Sequence, residues 1–143
     1  MKIKDCMENN VWYLKPENTI QECAKLMSEK HIGCVPVCDD SNSIVGLVTD
    51  RDVILRCIAC DKDCKTTKIS EIMTTDICYC NSDVEIEEAK KIMSDNQIRR
   101  VPVVNNENKI VGIITLGDLA KNNNTSSSDV LEDICKCNEK NAE

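Results

Sequence analysis

The sequence predicts an α+β protein, similar to an α/β sandwich, in which two β-α-β-β-α repeats are related by pseudo-two-fold symmetry. The chain contains an internal repeat: residues 5–53 and 71–119 align without a gap, and 17 of these 49 positions are identical. Both copies also place their apolar runs and polar turns in the same order. Two copies are too few for a solenoid, so we expect a symmetric pair.

Each repeat contains the same kinds of segment. A short apolar run predicts a strand, apolar residues at helical spacing predict a helix, two β-rich runs around a polar turn predict a hairpin, and a second helix follows a threonine. In the first repeat these segments are residues 11–14, a helix that contains residues 20–27, residues 35–38, residues 44–49 and residues 50–59. In the second repeat they are residues 77–80, a helix that contains residues 86–93, residues 101–104, residues 110–115 and residues 116–121.

The repeats divide the chain into four parts. We expect a first domain at residues 1–60, a polar linker at residues 61–68, a second domain at residues 69–121 and a polar tail at residues 122–143. Within the tail, the spacing of Asp129 and Glu132 is typical of a helix start, so a short helix is one expectation there and disorder is the other.

Charge and composition exclude several classes of protein. The net charge of -7 disfavours nucleic acid, because binding to a phosphate backbone needs a positive field. No segment has the roughly 18–20 apolar residues of a membrane span. The N-terminus lacks the apolar part of a secretion signal, so we expect a cytoplasmic protein without a membrane contact. One histidine and four glycines disfavour a catalytic triad and a Gly-rich phosphate loop, so we do not expect an enzyme.

Eleven cysteines are many for a chain of this length. In a reducing cytosol, most of them are expected to be small apolar core residues. The alternative is a metal-binding or redox-sensing protein, for which Cys57, Cys60 and Cys64 have the most suitable spacing, on one face of the second predicted helix. His31 lies where the second repeat has Gln97, so we expect a surface residue and not a metal ligand.

A segment of the form Gly-h-h-Thr-x-x-Asp ends each hairpin, with Thr49 and Asp52 in the first repeat and Thr115 and Asp118 in the second. The structural interpretation is a helix cap, in which the Thr oxygen accepts a backbone N–H and the Asp complements the helix dipole. The functional interpretation is a ligand site, because a carboxylate can accept both hydroxyls of a ribose and a helix start suits a phosphate. The pattern by itself leaves both interpretations open.

The repeat, the hydrophobic-Pro-Val hairpin and these segments together resemble the cystathionine-beta-synthase (CBS) domain pair, also called a Bateman module. The resemblance covers nearly all of residues 3–121, and it is closer in the first repeat because the second has Leu116-Gly117 between its Thr and Asp. Gly46 and Gly112 leave room for close backbone packing. The family implies a regulatory module, not an enzyme, that requires no cofactor and binds AMP, ADP, ATP or S-adenosylmethionine in a cleft between the repeats.

The resemblance also implies which residues contact the ligand. The aspartates would hold the ribose, the threonines would contact ribose or phosphate, and residues near the first strands and the hairpin prolines would surround the adenine. The residues before the prolines would meet phosphates. The implied set is Val11, Gly33, Cys34, Val35, Pro36, Thr49, Arg51, Asp52, Ile77, Arg99, Arg100, Val101, Pro102, Thr115 and Asp118, and it includes neither a metal ligand nor a catalytic residue.

The two implied pockets differ in charge. The second repeat has Arg99 and Arg100 before its proline, whereas the first has Gly33 and Cys34 there and carries Arg51 beside its aspartate. Because arginine keeps its charge and presents forked donors, we expect a ligand with phosphates and a stronger site in the second repeat. The alternative is that these arginines pair with acidic residues on the surface.

The resemblance implies a homodimer whose regulated partner is a separate enzyme or protein. The remaining alternative is a structural dimerisation module without a ligand, in which the Thr-x-x-Asp segments are only helix caps.

Overall fold

The computed structural model describes residues 1–122, which form two compact units. The continuous unit is Trp12–Ile77. The split unit combines Met1–Val11 with the described chain that begins at Cys78. The helix predicted near Asp129 lies outside the described residues.

The continuous unit contains a helix, an antiparallel hairpin and a second helical segment. Its elements are α1 (Ile20–Lys30), β1 (Cys34–Cys38), β2 (Ile44–Thr49), α2 (Asp50–Asp52), a π-helix (Val53–Ile58) and a 3₁₀ turn (Ile69–Glu71). The predicted order of helix, hairpin and helix is confirmed. The second helix differs from the expectation because it changes from α to π type after its first turn.

The split unit repeats this order. Its elements are a 3₁₀ turn (Ile3–Asp5), β3 (Cys80–Asn81), α3 (Ile86–Asn96), β4 (Arg100–Val104), β5 (Ile110–Thr115) and α4 (Leu116–Asn122). β3 lies parallel to β4, and β4 lies antiparallel to β5. β3 begins at the last residue of the predicted strand 77–80, so that prediction was wrong in its bounds. The α+β fold class is confirmed in both units.

The two hairpins have the same register and the same irregularity. Val37 lies opposite Gly46, Val103 lies opposite Gly112, and a β-bulge follows in both hairpins. β2 and β5 bury every second residue, as expected for strands with one face on a core. Each unit therefore has its own core, which is centred on Ile20, Val35, Val37, Val48 and Ile69 in the continuous unit and on Ile86, Met93, Val101, Val103 and Ile114 in the split unit.

The strand predicted at residues 11–14 is reduced to one bridge. Within this segment Leu14 pairs, in parallel, with Val37. Trp12 is 44% exposed, and the Lys30 ammonium lies 4.2 Å from the centroid of its ring. The apolar pattern overestimated the strand because the largest residue in the run does not enter the core.

A segment after the linker crosses β2 at Gly46. Leu47 and Thr74 exchange both backbone hydrogen bonds at 2.9 Å. A Cβ atom at Gly46 would lie 2.6 Å from the sulfur of Met73 and 3.2 Å from the carbonyl oxygen of Thr74, so a glycine permits this approach. The contact holds the start of the second repeat, residues 69–77, within the continuous unit.

The same crossing occurs in the split unit. Glu8 and Ile113 exchange backbone hydrogen bonds of 2.9 and 3.1 Å. A Cβ atom at Gly112 would lie 2.7 Å from the carbonyl oxygen of Glu8 and 2.8 Å from the sulfur of Met7. Close backbone packing at both glycines is therefore confirmed. Each compact unit takes its crossing segment from the start of the other repeat, so the units differ from the repeats that the sequence defines.

α1 and α3 end in the same way. Their C-cap residues, His31 and Gln97, have left-handed φ values of 54° and 56°, and their N–H groups donate to the carbonyl oxygens of Met27 and Met93. Both side chains are exposed, which confirms the prediction of a surface position for His31. In the part of the chain that the structure describes, no helix has the length and apolar character to cross a bilayer.

Candidate functional site

The first candidate site is the junction between β2 and α2. The Thr49 hydroxyl oxygen accepts the N–H of Asp52 at 3.1 Å, and Oδ2 of Asp52 accepts the N–H of Thr49 at 3.0 Å. This reciprocal pair is a capping box. It holds the Asp52 carboxylate at the start of the helix, where only 15% of the side chain is exposed.

The junction between β5 and α4 has the same geometry. The Thr115 hydroxyl oxygen accepts the N–H of Asp118 at 3.1 Å, and Oδ2 of Asp118 accepts the N–H of Thr115 at 2.9 Å. The capping interpretation is thus confirmed in both repeats. A carboxylate offers about four acceptor positions, so the cap leaves capacity for ribose hydroxyls and does not exclude the ligand interpretation.

A cavity of about 320 Å³ opens at the second junction. It is lined by Arg99, Arg100, Thr115, Leu116 and Gly117. The register of the hairpin places Arg100 opposite Thr115, and the N–H of Leu116 donates to the Arg99 carbonyl oxygen at 2.9 Å. The structure therefore brings the two arginines and the capping threonine, which the sequence separates by about fifteen residues, to one cavity.

Arg99 and Arg100 are exposed, and neither forms an ion pair with another described residue. Over the described residues, this counts against the alternative that they are surface charges neutralised by acidic neighbours. Two guanidinium groups that have no ion pair among residues 1–122 line one cavity and form a local positive field, which suits an anionic group.

The first junction has the opposite charge at the equivalent place. Asp50 stands where the second repeat has Leu116, and a Cβ atom at Gly33 would lie 3.0 Å from Oδ2 of Asp50. The Asp50 N–H donates to the Gly33 carbonyl oxygen at 3.0 Å, and Oδ1 of Asp50 accepts the N–H of Arg51 at 2.9 Å. A carboxylate therefore lies against the glycine where the second junction carries an arginine.

A further basic residue, Arg56, which the sequence pattern did not indicate, lies at this first junction. Its Nε lies 3.7 Å from Oδ1 of Asp52, and its Nη1 donates to the carbonyl oxygen of Ile72 at 3.1 Å. The spacing of four residues from Asp52 is the signal that could have identified it. Arg51, which we expected to assist the site, is exposed and follows Asp50 directly.

The residues expected to surround the adenine lie at different depths. Val35 and Val101 are fully buried in the two cores, so neither residue presents an accessible surface to a ligand in this arrangement. Pro36 and Pro102 are also buried, whereas Val11 and Ile77 are half-buried.

The compact units sort the predicted site residues into two sets. The continuous unit holds Gly33, Cys34, Val35, Pro36, Thr49, Arg51, Asp52 and Ile77. The split unit holds Val11, Arg99, Arg100, Val101, Pro102, Thr115 and Asp118. Val11 of the first repeat thus lies in the split unit, and Ile77 of the second repeat lies in the continuous unit, in the same way as the crossing segments.

Several cysteines are core residues, as expected. Burial raises the pKa of Cys23 and of Cys38 to about 11, and it raises the pKa of Cys80 to about 12. Because the thiolate is the reactive form, these thiols are chemically inert near neutral pH. In the split unit, burial also raises the pKa of Cys6, and the negative charge of Asp118 raises it further.

Only two members of the predicted cluster of Cys57, Cys60 and Cys64 lie together: the sulfur atoms of Cys57 and Cys64 are in contact, and Cys60 is separate. The helix ends at Ile58, so Cys60 lies beyond it, is exposed, and donates its thiol to the Leu55 carbonyl oxygen at 3.6 Å. Across residues 1–122, no three or more His, Cys, Asp or Glu side chains are grouped so that they could hold a metal ion. The expectation of one helical face was wrong because the helix ends at Ile58, before Cys60 and Cys64.

These features define a duplicated α+β module with a capped carboxylate at each strand-to-helix junction. The CBS domain family matches residues 3–58 and again residues 69–123, and the chain belongs to this family. Among related proteins, the CBS domain-containing protein YhcV of Bacillus subtilis is 40% identical over 134 residues, which cover 92% of this chain and 94% of that protein.

Solved structures show the same fold. The crystal structure of Hypoxic Response Protein I with two coordinated zinc ions has a TM-score of 0.78 and 32% identity, and the match covers 85% of this chain and 98% of that chain. The CBS domain pair of protein MJ0100 in complex with 5'-methylthioadenosine and S-adenosyl-L-methionine has a TM-score of 0.74, 28% identity and coverages of 85% and 94%. CBSX2 in complex with AMP has a TM-score of 0.72, 26% identity and the same coverages. These similarities support a regulatory ligand-binding module as the class of function.

Proposed function

We propose that the chain is a regulatory module that binds an adenine nucleotide, AMP, ADP or ATP, at the junction of the split unit. The proposal rests on the cavity of about 320 Å³ lined by Arg99, Arg100 and Thr115. Its volume lies at the lower end of the usual range for small-molecule sites, roughly 300–1,000 Å³. The adenosine compounds bound in two related CBS structures support the ligand class.

Each polar residue has a distinct role in this proposal. Arg99 and Arg100 bind the phosphate through charge-assisted hydrogen bonds. The Thr115 oxygen accepts the Asp118 N–H, but its own proton remains available for a phosphate or ribose oxygen. Asp118 accepts the ribose hydroxyls, and its cap with Thr115 orders the carboxylate before the ligand arrives.

The junction of the continuous unit is proposed as the weaker phosphate site. Asp50 and Asp52 are both acidic there, and among the described residues Arg56 forms an ion pair with Asp52. A phosphate would face the Asp50 carboxylate beside Gly33. This junction therefore favours a ligand without phosphate, such as S-adenosylmethionine, whose sulfonium is positive, and it binds nucleotides less tightly than the junction of the split unit does.

Calorimetric titration of the full chain with AMP, ATP and S-adenosylmethionine tests these assignments. The matched variants are Asp118→Asn and Asp52→Asn, because an asparagine oxygen can still cap the threonine N–H while the charge is lost. We expect Asp118→Asn to weaken nucleotide binding and Asp52→Asn to leave it unchanged. Wild-type protein that binds none of the three compounds would exclude the sensor function, and nucleotide binding that survives Asp118→Asn would exclude the site.

A second copy of the chain is the proposed partner for an apolar surface on the π-helix. Ile54, Leu55 and Ile58 are 55%, 49% and 57% exposed. Adjacent apolar side chains at this exposure are typical of an interface. We therefore propose a homodimer that uses this surface. A ligand changes the packing of the two copies only if it binds their alternative arrangements with different affinity.

Light scattering during gel filtration tests the homodimer. We expect wild-type protein to elute as a dimer and the double variant Ile54→Ser/Ile58→Ser to elute as a monomer. Tyr79→Ser, at a residue of the split unit that is 46% exposed, is the control for loss of apolar surface elsewhere. A monomeric wild type, or a double variant that stays dimeric, contradicts the proposed interface.

The regulated partner is proposed to be a separate enzyme or protein. The cytoplasmic location of the chain and its lack of catalytic activity stay predictions.

A structural dimerisation module without a ligand is the second candidate function. The reciprocal capping bonds favour it, because they account for both Thr-x-x-Asp segments without any ligand. The titration separates the two functions, since the structural module binds none of the three compounds.

A further inference from the structure

Two thiols of the continuous unit lie in contact at the end of the π-helix. The sulfur atoms of Cys57 and Cys64 are 3.7 Å apart. Cys57 is fully buried, whereas Cys64 is half-buried. Neither residue belongs to the candidate ligand sites, so their proximity has no role in the function proposed above.

Backbone hydrogen bonds fix the positions of the two cysteines. The Lys62 N–H donates to the Cys57 carbonyl oxygen at 3.0 Å, and the Cys57 thiol donates to the Lys62 carbonyl oxygen at 3.7 Å. On the other side, the Cys64 carbonyl oxygen accepts the N–H of Gln21, in the first turn of α1, at 3.0 Å. The positions of both cysteines are thus fixed by elements that pack in one unit.

The geometry requires only a small movement for a covalent bond. The S–S distance of a disulfide is about 2.05 Å, so the sulfur atoms must approach by roughly 1.7 Å. A metal is a poorer occupant, because the described residues provide no third ligand at this place. Cys60, between the two, is turned to solvent and donates to the Leu55 carbonyl oxygen.

We propose that Cys57 and Cys64 are a modification site, a dithiol that is oxidised reversibly to an intramolecular disulfide by a low-molecular-weight disulfide such as oxidised glutathione. The Cys64 thiolate attacks one sulfur of the small disulfide, whose S–S bond breaks and releases a thiolate that takes up a proton. The Cys57 sulfur then attacks Cys64, forms the protein disulfide and releases the second small thiol. The protein loses two electrons and two protons, and the small disulfide gains them.

The surroundings of the two sulfurs set the order of attack. Cys64 reacts first because it is the accessible partner. Burial raises the pKa of Cys57, and its hydrogen bond with Cys64 raises it further, so Cys57 stays a thiol until the mixed disulfide brings a leaving group next to it. The product joins the end of the π-helix to the segment that binds the start of α1, so we expect the oxidised protein to unfold at a higher temperature.

Peptide mapping of the full chain tests the proposal. Reduced protein is incubated with oxidised glutathione, its remaining thiols are alkylated, and it is digested with trypsin without reduction. Trypsin cleaves after Arg56, Lys62 and Lys65, so the disulfide joins the peptides 57–62 and 63–65. We expect this linked pair in the oxidised sample and its loss after treatment with dithiothreitol.

Because Cys60 lies on the same peptide as Cys57, the matched control is Cys60→Ser at the exposed position. The linked pair must persist in Cys60→Ser, where only Cys57 can supply the first peptide, and it must be absent in Cys64→Ser. A wild-type digest without the linked pair, or a pair that is lost in Cys60→Ser, overturns the proposal. The Cys60→Ser result does not depend on the folding of a variant with a changed core.

Discussion

The two strand-to-helix junctions share their capping hydrogen bonds but carry opposite charges in front of them. Thr49 with Asp52 and Thr115 with Asp118 form the same reciprocal pair, with all four distances between 2.9 and 3.1 Å. The second junction then faces two arginines, and the first faces Asp50. The duplicated part is therefore the part that stabilises the helix start, and the divergent part is the one that would select a ligand.

This contrast separates a structural role from a binding role at adjacent positions. A capping box is needed wherever a strand runs directly into a helix, because the first N–H groups of the helix lack partners. The arginines that line the cavity are not needed to stabilise a helix start. Arg99 precedes β4, Arg100 begins it, and both side chains are exposed. We infer that the Thr-x-x-Asp motif is compatible with both a cap and a ligand site. The residues around the motif, Arg99 and Arg100 in the second repeat, distinguish these two roles.

The largest expected effect comes from removing the positive charge of the second junction. Arg99→Ala/Arg100→Ala should weaken the binding of AMP and ATP by roughly 100-fold or more, because hydrogen bonds to charged groups contribute about 1.5–3 kcal/mol each. Binding of S-adenosylmethionine, which lacks phosphate, should change little. Calorimetric titration measures both effects.

Arg51→Ala is the matched control, because it removes one exposed arginine from the other junction. An equal loss of nucleotide affinity in Arg51→Ala would mean that the two junctions do not differ as proposed. An equal loss of affinity for S-adenosylmethionine in the double variant would mean that the arginines do not act on phosphate.

The next largest effect concerns the crossing segments. Gly112→Ala and Gly46→Ala should each destabilise the protein by about 1–3 kcal/mol, as expected for overpacking. The cost should be greater at Gly112, because the new Cβ would lie 2.7 Å from the Glu8 backbone oxygen, whereas the nearest atom to Gly46 is the Met73 sulfur, in a side chain that can change rotamer. Urea unfolding measures the difference.

Gly117→Ala provides the control for this pair. A Cβ atom there would have Thr115 Oγ1 as its nearest neighbour at 3.6 Å, and the residue does not have a positive φ. The free energy of unfolding of Gly117→Ala should stay the same or rise by up to about 1 kcal/mol, because alanine restricts the unfolded chain. A greater loss at Gly46 than at Gly112 would contradict the packing at the two crossings.

The capping threonines should have smaller and nearly equal effects. Thr49→Ala and Thr115→Ala should each lower the free energy of unfolding by about 1 kcal/mol, since each loses one cap. Thr→Ser at either position should retain most of the stability because the hydroxyl remains. Chemical unfolding without a ligand tests this equality, and a difference of more than about 1 kcal/mol between the two alanine variants would show that the caps are not equivalent.

Much of the fold could be predicted from the sequence because it depends on local periodicity. The strands at residues 44–49 and 110–115 have the predicted bounds, and the helix predicted around residues 20–27 is Ile20–Lys30. Alternating burial in strands and helical spacing in α1 are properties of neighbouring residues, so a single sequence contains them.

Long-range features could not be predicted in the same way. The glycine at position 46 indicated a close approach, but the pattern could not show that Met73 and Thr74 are the residues that approach it. The end of the helix at Ile58 likewise removed Cys60 from the face that helical spacing predicted. In the candidate site, the two motif aspartates and the arginines Arg51, Arg99 and Arg100 were predicted. Asp50 and Arg56 were missed, because their relevance depends on contacts across turns.

The smallest expected effect is a gain of affinity at the first junction. Asp50→Asn removes the carboxylate beside Gly33, so a phosphate there should bind up to about fivefold more tightly. This factor corresponds to an exposed charge interaction of roughly 0.2–1 kcal/mol. Titration with ATP in the Arg99→Ala/Arg100→Ala background measures this site without the stronger one. Asp40→Asn, at a side chain that is 99% exposed, is the control. Because salt screens exposed charges, the gain should shrink as ionic strength rises. An equal gain for S-adenosylmethionine would mean that Asp50 blocks the site sterically, and the difference between the junctions would then be one of shape.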